Sequence, residues 1–320
     1  METWVFKTQF GTIGFFQKED DWCYICVQDW PSPKIHKFFR EGPRNGNDGV
    51  AWKEGVSKET LKHYISWTTL DSSDVIEIKK LVVAGEYFPR MNRNNIGFYQ
   101  DIINSRSFLE EARSYSDVCH SLNDLFRFIE PSPSNLNAFG YKQGELLIGA
   151  CTQVENLLRR FLEDNKYPSR KTYCTGDYVK CRDILKLNDY SVSLALYQDL
   201  KAFSPFKDWA EDRPTQSLTW YDAYNSFKHD RSGNLEKATF KHLIESVAAI
   251  HVLLEAQYGL GMYDKLTGYG FITVFATSSA PSWTPDELFA PLILGEEEMT
   301  SKQIAWKQSD IGYFEKMNQT

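Results

Sequence analysis

No stretch of this sequence is apolar for long enough to cross a bilayer. Runs such as Leu146–Cys151 and Val252–Leu254 stop far short of the about 20 residues a spanning helix needs. Positive charge is not in excess either. The formal net charge is −7, which excludes a protein coated in basic surface that holds duplex DNA mainly by counterion release, yet leaves room for a small basic site. The opening Met-Glu-Thr-Trp-Val-Phe-Lys has no basic flank, apolar core and small-residue cleavage site, so it does not read as a signal peptide. No membrane association is expected, and the expected location is cytoplasmic.

Cysteine is sparse, with 6 in 320 residues, which fits reduced buried thiols better than a disulfide framework. Cys23 and Cys26 have a metal-like spacing, but no second pair follows, and residues three apart on a strand point to opposite faces. His229, His242 and His251 belong to no His-Glu-x-x-His pattern, and His242 and His251 read as ordinary helix residues. Gly259-Leu-Gly261 and Gly268-Tyr-Gly270 lack the strand-turn-helix order of a phosphate loop, and no Gly-x-Ser-x-Gly elbow occurs. Neither a metal nor a cofactor is expected.

What is present is an ordinary folded composition, 42% hydrophobic and 25% charged, in a chain long enough for about two domains. Residues 1–95 cluster aromatic and β-branched residues, as in Thr3-Trp-Val-Phe-Lys, Thr12-Ile-Gly-Phe-Phe and Trp22-Cys-Tyr-Ile-Cys-Val. These predict short strands in hairpins, with a Gly/Asn loop at 41–49 and a further strand at 74–83. The period then becomes helical. Helices are predicted at 98–129, 141–164, 178–186, 191–203, 220–231 and 236–258, the last stopped by Gly259. Phe271–Ala276 is β-branched and aromatic, and is expected to return as a strand onto the N-terminal sheet. The tail beyond 279, with its run Glu296–Glu298, reads in part as loop. The fold class is therefore α+β: a β-rich module at 1–95, a helical region at 96–265, and a C-terminal strand and tail at 266–320.

The segment Trp220–Arg231 carries the richest chemistry. At about 100° per residue, Tyr221, Asn225, Lys228 and His229 share an arc beside the packing side of Trp220, Tyr224 and Phe227. On the 141–164 helix, Glu155 precedes Arg159 by one turn. If Glu155 faced His229 across a helix interface, it would fix the imidazole tautomer, and Lys228, Arg231 or Arg159 would supply positive charge. That arrangement suits metal-independent RNA cleavage, with the imidazole moving the proton of a ribose 2′-hydroxyl and cations stabilising charge on phosphorus. The alternative is a non-catalytic module in which Glu155, Asn225, Lys228 and His229 form a network that specifies helix packing or a dimer interface.

Leu146–Glu155, Phe203–Trp209 and Trp220–Arg231 together resemble a group of uncharacterised bacterial proteins related to the HEPN superfamily. The resemblance covers roughly residues 98–260. It implies an antiparallel helical bundle, frequent homodimers and, in many members, metal-independent ribonuclease activity in toxin–antitoxin and anti-phage defence systems. In the superfamily's active motif an arginine and a polar residue precede a histidine. His229 and Asn225 match, whereas Tyr224 stands in the arginine position and lacks the fixed charge of a guanidinium. The resemblance therefore implies His229 as acid or base, Lys228 and Arg231 as phosphate contacts, Asn225 as a positioning donor and Glu155 as the group orienting His229. Arg159, Tyr221 and Tyr224 would line the RNA. The N-terminal module lies outside the resemblance and is a candidate surface for a protein partner.

Overall fold

The structure, a computed structural model, describes residues 2–19, 22–27, 34–39, 55–66, 68, 74–81, 86–93, 105–263, 266, 270–288, 290, 292–293, 304–305, 307–308 and 314. The expected loop at 41–49, the boundary at about 95 and the acidic run at 296–298 lie outside them. The fold is α+β and divides into two compact units: residues 1–88, 93–101 and 283–310, and residues 89–92, 102–282 and 311–320.

The first unit is built on an antiparallel sheet of β1 (Glu2–Thr8), β2 (Ile13–Lys18), β3 (Trp22–Val27), β4 (Lys34–Phe39) and β5 (Val75–Leu81), in the order β4-β3-β2-β1-β5, and also holds the short strand β6 (Glu86–Tyr87). Its strands carry apolar residues at successive positions because both faces are covered. Trp4, Phe6, Phe16, Cys23 and Ile25 pack against Leu61, Tyr64 and Ile65 of α1 (Lys58–Ile65), while Val5, Phe15, Tyr24, Cys26 and Ile35 pack against Leu288, Ala290 and Ile293. Cys23 and Cys26 thus lie on opposite faces, and burial pushes both thiols up, away from the thiolate a metal would need. Gly14 is required by its partner on β1: a Cβ there would come within 2.2 Å of the Phe6 ring.

The second unit contains four longer helices: α2 (Arg106–Phe126), α3 (Tyr141–Asp164), α6 (Thr219–His229) and α7 (Phe240–Tyr258). Two single-turn helices, α4 (Thr175–Tyr178) and α5 (Cys181–Ile184), replace the one helix expected at 178–186. The contacts Glu111–Tyr258, Tyr115–His251 and Phe126–Phe240 run α2 antiparallel to α7, and Gly144–Phe227 with Glu155–Tyr221 run α6 antiparallel to α3. Ala138–Phe240 and Leu157–Gln257 run α3 parallel to α7, so consecutive long helices alternate in direction. Every residue of α7 from Ser246 to Tyr258 is buried, the pattern of a helix at the centre of a core. Thr239 caps its start and Gly259, at φ 102°, follows its end. The turn at Leu235–Lys237 is 3-10, so α7 begins later than the 236 predicted.

Two expectations are overturned. The segment predicted as a helix at 191–203 opens instead with β7 (Ser191–Leu194), whose serines point outward and whose Val192 and Leu194 are buried, a period of two rather than 3.6. The β-branched run after Phe271 forms β8 (Phe275–Ser279), which pairs antiparallel with β7 inside the helical unit and does not join the N-terminal sheet. Among the described residues no helix is long and apolar enough to cross a membrane.

Candidate functional site

Helix α6 is held by its aromatics. Trp220 donates its indole N–H to the carbonyl of Pro205 at 2.8 Å, and Phe206 meets the Trp220 ring edge to face. Phe227 fills the space left by Gly144 on α3, where a Cβ would stand 2.3 Å from the ring. The helix ends at His229, and the chain turns as the Asp230 carboxylate accepts the Gly233 N–H at 2.9 Å. Lys228 and His229 occupy the last turn, where the carbonyl ends of the helix favour cations.

The residues singled out in the sequence separate into two groups. Along the seam between α3 and α6, the Tyr221 hydroxyl donates to Glu155 Oε1 at 2.6 Å. One turn on, Lys228 Nζ donates to the Tyr224 hydroxyl at 2.8 Å and lies 5.0 Å from that ring's centre. Tyr221 and Tyr224 are buried. Burial, and then the bond to Glu155, pushes the Tyr221 phenol well above its ordinary range. Burial also raises Tyr224, and the bond to Tyr224 holds Lys228 protonated above the usual lysine value against a smaller cost of desolvation. Arg159 is exposed and turns to its own helix, donating to Asn156 Oδ1 at 3.0 Å and approaching Glu163 at 4.0 Å.

The second group faces outward. His229 lies about 100° around the helix from Lys228, is exposed, and makes no hydrogen bond or ion pair with the described residues. Asn225, one turn earlier, is partly exposed, and Arg231 is exposed just past the helix end. The pairing of Glu155 with His229 expected from the sequence is not formed, because Tyr221 takes the carboxylate. Glu155 therefore ties two helices together and does not orient the imidazole.

Sequence reasoning missed two buried polar networks. His251, read as an ordinary helix residue, has both ring nitrogens engaged: Nδ1 with the Tyr115 hydroxyl at 2.9 Å and Nε2 with Thr277 Oγ1 at 3.1 Å. Thr277 donates onward to Glu255, so its oxygen accepts from Nε2–H, and Tyr115 must then donate to Nδ1. The result is a directed relay, Tyr115 to His251 to Thr277 to Glu255. Burial pushes the imidazole down to about 3, which keeps it neutral and preserves that direction. The relay borders a cleft of about 450 Å³ that Tyr263 and Phe275 also line. A visible signal was the pair His251 and Glu255 at i and i+4 within the predominantly apolar stretch Val247–Tyr258.

The other network centres on Arg90, whose backbone is left-handed at φ 58°. Its guanidinium donates to both oxygens of Glu111 at 3.0 and 2.8 Å, to Asp164 at 2.7 Å, and to Gln257 and Tyr258 at 2.9 Å each. Arg160 adds a bond to Glu111 at 2.7 Å. Burial pushes the Glu111 carboxyl up, but the bonds from Arg90, Tyr258 and Arg160 together bring it below its ordinary value. Among the described residues no group of three or more His, Cys, Asp or Glu side chains is placed to hold a metal ion.

Comparison with protein-family models, with curated proteins and with solved structures finds no match to this chain.

Proposed function

We propose that the helical unit is an RNA-binding, HEPN-like bundle that meets the sugar-phosphate backbone at the C-terminal end of α6, with His229 as the residue that exchanges a proton with a ribose 2′-hydroxyl. One observation carries this reading. The His229 side chain is exposed and makes no hydrogen bond or ion pair with the described residues, while Lys228 and Arg231, both exposed, stand on either side of it in the chain. A phosphate at this helix end would gain charge-assisted bonds from the cations, and the ring has no competing partner among the described residues to give up. Because no carboxylate among the described residues engages His229, its orientation would come from the bound RNA, and a low turnover is expected.

The test is an RNA cleavage and binding assay in the presence of a metal chelator, on the wild type and on His229→Ala, with DNA of the same sequence as the control. Cleavage of RNA alone, abolished in the variant while RNA binding and thermal stability persist, supports the proposal. A wild type that neither binds nor cleaves RNA overturns it.

A second reading rests on the seam itself. Glu155–Tyr221 and Lys228–Tyr224 are bonds between or within packed helices, as in an interaction module whose polar residues specify packing. Under that reading His229→Ala leaves every biochemical property unchanged and substitutions in the seam lower stability.

A further inference from the structure

Glu255 sets a carboxylate among Val252, Leu253, Leu254 and Ala256, on a helix whose residues from Ser246 to Tyr258 are all buried. Taking a carboxylate out of water is costly, so what surrounds it decides what it can do. One oxygen, Oε2, accepts from the Thr277 hydroxyl, and Oε1 stands 3.9 Å from His251 Nε2. The same residue forms part of the wall of the cleft of about 450 Å³. That volume lies within the about 300–1,000 Å³ usual for small-molecule sites.

The wall carries charge of one sign. Among the described residues that line it, Glu255 supplies a carboxylate, no lysine or arginine is present, and His251 is neutral because burial pushes its imidazole down. Burial, and then the Glu255 charge, also pushes the phenols of Tyr190 and Tyr263 above their ordinary range. Aromatic rings form the rest of the frame. Tyr263 stacks on His251 at 4.3 Å between ring centres and donates its hydroxyl to the His251 carbonyl at 3.0 Å, which fixes the ring in place beside Phe275.

This combination selects the chemistry of a ligand. An anion entering the cleft would meet the carboxylate with no cation in the wall to offset it. A bare metal ion takes several ligating groups, and among the described residues no three His, Cys, Asp or Glu side chains are placed to hold one. An ammonium ion gains a charge-assisted bond from the carboxylate, and aromatic faces attract the same charge. We propose that the cleft binds a small organic amine as its ammonium ion, with the charge on Glu255 and the apolar body against Tyr263 and Phe275. The site uses none of the residues at the end of α6 and is independent of the RNA reading.

The experiment is a ligand-observed NMR titration of the full chain at about pH 7, with phenethylammonium as the probe and 2-phenylethanol and 3-phenylpropionate as its neutral and anionic counterparts. The ammonium should bind with a Kd on the order of 1 mM or tighter, and each counterpart at least about 10-fold more weakly. Glu255→Gln keeps the shape and removes the charge, and should weaken ammonium binding roughly 10- to 100-fold while leaving that of the alcohol unchanged. Ala276→Lys, at an exposed position of the wall, sets a competing cation there and should weaken the ammonium to the same degree with the melting temperature unchanged, so the test holds even if Glu255→Gln fails to fold. A wild type that does not bind phenethylammonium, or that binds the alcohol as tightly, overturns the proposal. So do folded Glu255→Gln and Ala276→Lys chains with wild-type affinity.

Discussion

Tyr221 and Glu155 are joined by a 2.6 Å hydrogen bond from a buried phenol to a carboxylate on the facing helix. This bond fixes how α6 is rotated against α3, and so decides which residues of α6 meet solvent. Tyr221→Phe removes the donor while keeping the ring, and is expected to cost about 1–2 kcal/mol. Urea denaturation of Tyr221→Phe, Glu155→Gln and the double variant checks it. A coupling energy indistinguishable from zero would show that the bond contributes nothing to the seam.

Gly144→Ala places a methyl group 2.3 Å from the Phe227 ring. Overpacking of this kind is expected to cost about 1–3 kcal/mol, and Phe227→Leu in the same chain should recover part of it. Calorimetry of the single and double variants gives the comparison, and a Gly144→Ala chain as stable as the wild type would contradict the packing described.

His251 is neutral in the folded protein down to about pH 3, whereas in the unfolded chain it takes a proton at its ordinary value of 6.5. As pH falls from 6.5 towards 3 the unfolded state binds the extra proton, so this residue lowers stability by up to about 1.4 kcal/mol per pH unit across that window. Replacement by Gln keeps polar atoms without a proton to gain. Its stability measured from pH 7 to pH 4 should fall less steeply than that of the wild type, and parallel curves would refute the assignment.

Glu111 has the opposite chemistry. Its folded value lies below the ordinary 4.5, so its contribution is complete above the unfolded value and is lost as pH falls through the folded one. Glu111→Ala leaves the Arg90 charge without its two-oxygen partner in a buried site, for an expected loss of about 3–5 kcal/mol at neutral pH. Chemical denaturation of the variant measures this loss, and a change of less than 1 kcal/mol would exclude the network as a clasp between α2 and α7.

The seam shows how far the residues themselves can be read. Tyr221, Lys228 and His229 share an arc of about 100°, so any of them was a reasonable partner for Glu155. Their separation into an engaged group and an outward one depends on a modest rotation of one helix, which Phe227 in the Gly144 gap and Trp220 on the Pro205 carbonyl impose.

Local pattern alone determined the elements whose chemistry is continuous along the chain. The strands through Val5, Phe15 and Ile25, the helix Tyr141–Asp164 and the end of α7 at Gly259 follow from β-branched and aromatic clusters, a long apolar stripe and a left-handed glycine. Ser191–Leu194 escaped because four residues are too few to distinguish a period of two from one of 3.6, and its strand partner lies some 80 residues away at Phe275–Ser279. Tertiary structure alone decided the polar interior. The partners of His251 come from Tyr115, Thr273 and Thr277, and those of Arg90 from Glu111, Asp164 and Tyr258, on segments brought together only by packing. A buried polar group must find its partner wherever the fold supplies one, and that choice leaves no periodic trace in the sequence.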